Sequence, residues 1–266
     1  MHRLFRPCGK REPHHRDEEA AQVTNDHCEF VVIVVARMSS KRLPGKSLTC
    51  LSGRTVLGHV VQRVEQSREA DTFLVATSTE SSDDPILQWC EHAGVRCFRG
   101  SLSNVTLRVL QAGKEAGARK IVRVSADSPF IDPALIDYAI RLFRQNAVDL
   151  VTNVHPRSFP VGQSVEVMTV EALSRIVIKG LTPEQEEHVT KGFYDLPNEF
   201  RILNFNPEDV MGTATCDHTM VHMSIDSPED MATAAKVSEL MGVRLDTASW
   251  LDIESAWLEI SGMRDS

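Results

Sequence analysis

Between residues 30 and 146, short β-branched apolar runs alternate with segments of helical periodicity, and this alternation leaves few folds open. "FVVIVVA" (30–36) is an unbroken apolar run rich in valine, the pattern of a strand buried on both faces of a parallel sheet. A helical stripe follows in "TVLGHVVQRVEQS" (55–67), then a strand in "TFLVATS" (72–78). "DDPILQWCEHAG" (83–94) reads as a helix with Pro85 in its first turn and Gly94 near its end. "VRCF" (95–98) and "KIVRVS" (120–125) read as strands and "NVTLRVLQAGKEAG" (104–117) as a helix. "DPALIDYAIRLFRQN" (132–146) is a helix capped by Asp132, with Pro133 at its first position. Strand–helix units in this order predict a parallel sheet with helices on both faces. After residue 150 the order loosens. "VDLVTN", "SVEVMTV", "RILNF" and "TMVHMSI" read as strands, and "PEQEEHVTKGFYDL", "SPEDMATAAKVSELMG" and "SWLDIESAWLEI" as helices. With no internal repeat and no long linker, residues 29–266 are expected to complete one α/β domain.

The net charge of −8 argues against a general nucleic-acid or membrane-surface binder, which would show a basic footprint. The longest apolar run falls far short of a membrane span. The six cysteines, at 8, 28, 50, 90, 97 and 216, include no CxxC pair, so a zinc site or disulfide framework is not indicated. A reducing cytoplasm is the expected setting. Residues 1–28 are polar, mixed in charge and aperiodic, without the apolar stretch of a secretory signal; they read as a disordered extension that includes His14 and His15.

Against this acidic background, "VVARMSSKRLPGKSL" (34–48) places Arg37, Lys41, Arg42 and Lys46 on the loop after the most apolar strand. Ligands of open parallel sheets bind beyond the carboxyl ends of the strands. Ser39, Ser40 and Gly45 let backbone amides approach phosphate oxygens, and Arg37 and Arg42 can grip them in forks with Lys46 as a point charge. A Walker A loop is excluded, because Ser40 stands where its leading glycine belongs. Asp127 and Asp226 each follow an expected strand. On spacing alone they serve equally as ligands of a hard cation or as turn and helix-capping residues.

"ARMSSKRLPGKSL" resembles the signature ARxxSxRLPGKxL of the sugar cytidylyltransferases, the spore-coat polysaccharide type above all, with the 3-deoxy-manno-octulosonate and sialic acid enzymes more distant. "VLGHVVQRV", "LVATST…DDP", "GVRCFRGS", "VRVSADSPFIDP", "DLVTN", "VEVMTVEAL", "EEHVT" and "SIDSPEDM" follow in that family's order, so the likeness spans roughly 30–236. The resemblance implies a Rossmann-like, GT-A-like nucleotidyltransferase fold that transfers CMP from CTP to an anionic acceptor with release of pyrophosphate. It implies nucleotide contacts from Ala36, Arg37, Met38, Ser39, Ser40, Arg42, Lys46, Ala76, Thr77 and Ser78, and catalytic magnesium on Asp127 and Asp226. Acceptor contacts from Arg99, Arg108, Asn153, Glu166 and His188, and a homodimer, are implied in the same way.

The chain departs from the pattern at three places. "ADSPFID" stands for GDCPLID, changing the surroundings of Asp127 at Ala126 and Ser128. Leu107 replaces an aspartate of VLDRY, and "VGQSVE" stands for DGLDVE, so Val161 and Ser164 replace acids. The nucleotide half is kept and the acceptor half altered. Lost carboxylates suit a more anionic acceptor. Two other readings follow: a homologue that binds nucleotide without turnover, and a glycosyltransferase, against which "SADSPF" offers no DxD.

Overall fold

The structure, a computed structural model, describes residues 28–213 and 217–262. The expected N-terminal extension lies outside the described residues except for Cys28, as does Cys216. In chain order the elements are β1 (Phe30–Val35), β2 (Cys50–Leu51), β3 (Arg54–Thr55), α1 (Val56–Val64), β4 (Thr72–Ser78), α2 (Asp84–Ala93), β5 (Cys97–Gly100), α3 (Val105–Glu115), β6 (Lys120–Ser125), α4 (Pro133–Gln145) and β7 (Leu150–Thr152). They continue with β8 (Glu166–Thr169), α5 (Val170–Lys179), α6 (Pro183–Glu187), α7 (Lys191–Asp195), β9 (Ile202–Asn204), α8 (Pro207–Met211), α9 (Pro228–Met241) and α10 (Trp250–Ser261).

Seven strands form one sheet in the order β5-β4-β1-β6-β8-β7-β9, while β2 and β3 pair as a separate hairpin. The four on the β5 side are parallel, β8 runs against both its neighbours, and β7 and β9 are parallel to each other. Alternation along β1 explains why its valines fill both layers. Phe30, Val32 and Val34 face α1, α2 and α4, and Val31 and Ile33 face α3 and α5. A third apolar cluster packs α9 and α10 on Leu51 and Val56.

Three sequence expectations change. "TMVHMSI" forms no strand: Val221, Met223 and Ile225 point inward with strand periodicity, but the ladder is the single bridge Val161↔His222. The partner segment turns away at Gly162, whose φ is +105° and where a Cβ would lie 2.7 Å from the Ser224 amide nitrogen. "PEQEEHVTKGFYDL" is two short helices, α6 and α7, because the chain leaves helical geometry at His188 and turns Val189 and Thr190 inward. "VRCF" gives way to β5 two residues later, in register with Val75–Ser78. "VEALSRIVIK", to which no element is assigned from the sequence, forms α5, capped by Thr169.

Arg63 binds the C-terminal layer to the sheet layer. Its Nε donates to the carbonyl of Ile131 at 2.5 Å, and Nη1 and Nη2 to those of Leu245 and Ala248 at 2.8 and 2.6 Å. Burial holds its pKa below the ordinary arginine value, with Asp132 and Asp246 acting in the opposite sense. Arg63→Met strands three carbonyls, at an expected cost of about 3 kcal/mol. Calorimetry should show a Tm lower by roughly 6–10 °C, and Arg63→Lys should restore little because one ammonium cannot reach three divergent carbonyls.

Candidate active site

β1 and β6 are neighbours, yet the chain passes from β1 to β4 and β5 before crossing back to β6. The strand order reverses between them, and ligands settle beyond the carboxyl ends at such a point. The cationic loop leaves the end of β1 there and Asp127 the end of β6. The loop closes on itself: the Met38 carbonyl accepts the amides of Ser40 and Gly45, both at 3.0 Å. Gly45 takes φ +77°, a handedness other residues rarely adopt, and starts the 3-10 turn Lys46–Leu48.

Asp83 pins this loop to β4. Its Oδ1 accepts the Met38 amide at 2.7 Å, and its Oδ2 accepts the Ser78 amide and hydroxyl at 3.2 and 2.5 Å. The Ala36 amide donates to the Ala76 carbonyl at 3.0 Å, so the ends of β1 and β4 are bound together. Ala36, Ala76, Thr77 and Ser78 are buried along this seam, and Thr77 Oγ1 has no partner among the described residues. Ser39 and Arg42 are exposed and Ser40 half-buried, its hydroxyl accepting the Leu43 amide.

At the far end of the loop, Lys46 Nζ donates to Asp127 Oδ2 at 2.8 Å and to Asp226 Oδ1 at 2.9 Å. Arg42 Nη2 reaches the same Asp226 oxygen at 3.2 Å. The carbonyl of Asp127 accepts the Ile225 amide at 2.8 Å, which fixes the two acid-bearing segments side by side. Ser128 donates to Asp127, and Ser224 to Asp226. For Asp226, burial works to raise the pKa. The hydrogen bond and charge of Lys46, with Ser224 and Arg42, outweigh it and hold the carboxyl below its ordinary value. Two hard oxygen donors thus converge on one positive charge, a donor set that fits a divalent cation completing its sphere with phosphate oxygens. His222, Asp226 and Asp230 also bring ligand atoms within 4.8 Å of one another, although Asp230 Oδ2 is occupied by the amides of Asp226 and Ser227.

The remaining candidates divide. Arg37 leans over the edge to Glu187 at 3.4 Å. Arg99 braces the segment after β4 through the carbonyls of Ser78 and Glu80 and the Asp84 carboxylate. Arg108 is fully buried, held by the Ser101 carbonyl, with Nε and Nη2 unpartnered among the described residues. Burial pushes its pKa down to about 10, with Asp83 raising and Arg37 lowering it. Asn153 spends its amide on the Gln163 carbonyl and the Val165 amide. Glu166 is enclosed by Arg123, Thr190 and Tyr194, while His188 is exposed at the end of α6. Sequence reasoning missed Asp83 and Gln163. Gln163 joins the Asp132 amide and the Phe130 carbonyl to its own loop.

An open, mostly parallel sheet with a cationic loop and two carboxylates at its switch point defines a nucleotidyltransferase-type α/β enzyme. The pattern of the cytidylyltransferase family matches residues 31–251, and the chain belongs to that family of CTP-dependent nucleotidyltransferases. The spore coat polysaccharide biosynthesis protein SpsF of Bacillus subtilis is 29% identical over 226 residues, 83% of this chain and 91% of that one. The 3-deoxy-manno-octulosonate cytidylyltransferase of Geobacter sulfurreducens is 35% identical over 119 residues, 44% of this chain and 46% of that one. A cytidylyltransferase structure from Leptospira borgpetersenii superposes with a TM-score of 0.80 at 26% identity, covering 89% of this chain and 96% of that one. Among the described residues no helix is long and apolar enough to cross a membrane.

Two expectations follow. Because the Asp226 pKa is depressed in the folded chain, its stabilising contribution is present above the unfolded carboxyl value and fades as pH falls through the folded one, below about pH 4. Lys46→Met removes the main depressing group and leaves the burial, so carbon-13 NMR should show the Asp226 pKa raised and that contribution lost at higher pH. In Asp83→Asn the side-chain amide cannot replace both acceptor oxygens. Hydrogen exchange at the Met38 and Ser78 amides should quicken about tenfold or more.

Proposed function

We propose that this protein is a magnesium-dependent cytidylyltransferase that joins CMP from CTP to an anionic sugar or related acceptor and releases pyrophosphate. The observation that carries the reading is the convergence of Lys46 and Arg42 on the Asp127–Asp226 pair, where strand order reverses. Arg37, Arg42 and Lys46 hold the triphosphate, with backbone from Ala36 to Ser40 beside it. The Ala76–Ser78 seam faces base and ribose. Asp127 and Asp226 hold magnesium, which when bound supplies neutralising charge at the phosphoryl oxygens.

An acceptor oxygen attacks the α-phosphorus, the new P–O bond forms, and the bond to the bridging oxygen breaks as pyrophosphate departs. Positioning and charge neutralisation dominate such transfers, so no separate protein base is assigned. Of the acceptor candidates, Arg108 and His188 keep groups for a ligand. Arg99, Asn153 and Glu166 spend theirs on the protein and shape the pocket. The likeness to SpsF supports a place in polysaccharide biosynthesis, with a cytoplasmic setting and a homodimer part of the same reading.

The test is pyrophosphate release, with magnesium, from each of the four nucleoside triphosphates against acid sugars, sugar phosphates and phosphonates. Release with CTP and one acceptor is expected, and Lys46→Ala and Asp226→Ala should each lower turnover by about 10²-fold or more. CTP binding without release under any pairing would favour the binding-only homologue, to which Leu107, Val161 and Ser164 would have contributed. No triphosphate binding at all would overturn the site.

A further inference from the structure

We propose that Arg123 and Arg157 form a subsite for the anionic group of the acceptor, a carboxylate or a phosphate, beside Glu166 at the carboxyl edge of β6 and β7. This rests on the cytidylyl-transfer reading and names the group by which that acceptor is held. Arg123 stands opposite Glu166 in the β6–β8 register and Thr152 stands opposite it in the β7–β8 register, so the cluster lies on the strand ends that carry the reaction. Asp127 lies four positions after Arg123, no more than about 13 Å of extended backbone.

The charges in this cluster do not balance. Glu166, 1% exposed, accepts from Thr190 at 2.6 Å, from Tyr194 at 2.8 Å and from Arg123 Nη1 at 3.0 Å, so its oxygens are taken. Arg157 is bonded to Ser164, two residues before Glu166, and its charge acts alongside those of Glu166 and Arg123. Its Nη2 donates to the Ser164 hydroxyl at 3.1 Å, a partner that brings no charge. Among the described residues Arg123 makes one ion pair and Arg157 none, which leaves two guanidiniums on one carboxylate. Arg123 Nε and Arg157 Nη1 are both shut from solvent without a partner, while each side chain as a whole stays partly exposed. Partly exposed guanidiniums whose donors outnumber their partners are the chemistry that grips a carboxylate or phosphate in a fork. The His155 ring, stacked on Tyr194 at 4.3 Å, gives the subsite a flat wall for the body of the ligand.

The test uses the full chain with magnesium, with and without CTP, and follows the arginine Nε–Hε signals by nitrogen-15 NMR while inorganic phosphate or, separately, acetate is added. With CTP present, the Arg123 and Arg157 signals should shift saturably, and the anion that binds more tightly identifies the group accepted. Ser164→Asp supplies the missing countercharge without touching the core. It should weaken anion binding about tenfold or more, as should Arg157→Met, while CTP affinity by calorimetry stays within about twofold. Unmoved arginine signals, or a Ser164→Asp protein that binds anion like the parent, overturn the subsite. If the signals respond but CTP does not bind, the subsite stands and the cytidylyl-transfer reading falls. If CTP binds and the signals are still, the reverse holds.

Discussion

One ammonium group joins parts of the chain that would otherwise repel or drift. Lys46 Nζ sits between Asp127 and Asp226, residues 81 and 180 positions further along the chain. The side chain of Lys46 is 11% exposed and those of its partners about a quarter, so these pairs are screened far less than surface ion pairs. Two carboxylates brought this close without a cation would oppose each other and favour protonation of one. The geometry is therefore conditional on positive charge at that point. Lys46 thereby links the loop after β1, the end of β6 and the segment before α9, beside the backbone bond from Ile225 to Asp127.

The parts of this arrangement that were legible in the sequence are those set by local periodicity and by strand ends. Seven apolar residues in a row could only be the middle of the sheet, and a loop after such a strand emerges at the ligand edge whatever its partners. Asp132 announces its helix because capping needs no distant contact, whereas the cap of α9 is Ser227 and not the neighbouring Asp226. Tertiary contacts explain what was missed. The alternation in "TMVHMSI" reports inward-facing Val221, Met223 and Ile225, but a strand also needs a partner backbone that keeps pace, and Gly162 turns that partner aside. The helix expected across 183–196 breaks at His188, where the chain leaves helical geometry, and Thr190 is turned inward to bond Glu166.

Asp83 and Gln163 were illegible for a related reason. Each acts by receiving or donating bonds across the fold, and neither type has a periodicity. Asp83 reads as the first acid of a helix, yet its carboxylate is committed to Met38 and Ser78 on two other segments. Gln163 falls in a loop without pattern, yet it links the Asp132 amide and the Phe130 carbonyl.

These two residues also explain how one sheet edge can hold its cationic loop in place while the side chains of the 161–164 segment vary. The cationic loop after β1 is held by its own carbonyl at Met38, by Asp83 and by the carboxylate pair, all on the β1 side of the edge and around Asp127. The segment carrying Val161 and Ser164 is held from behind by Asn153 and Gln163, through backbone groups that ignore the identity of side chains 161 and 164. Replacing acids at those two positions thus alters charge without loosening the scaffold. Positive charge on the loop after β1 is matched by Asp127 and Asp226. Around Arg123 and Arg157 only Glu166 opposes two guanidiniums, so on the described residues the excess of positive charge falls where an acceptor would lie.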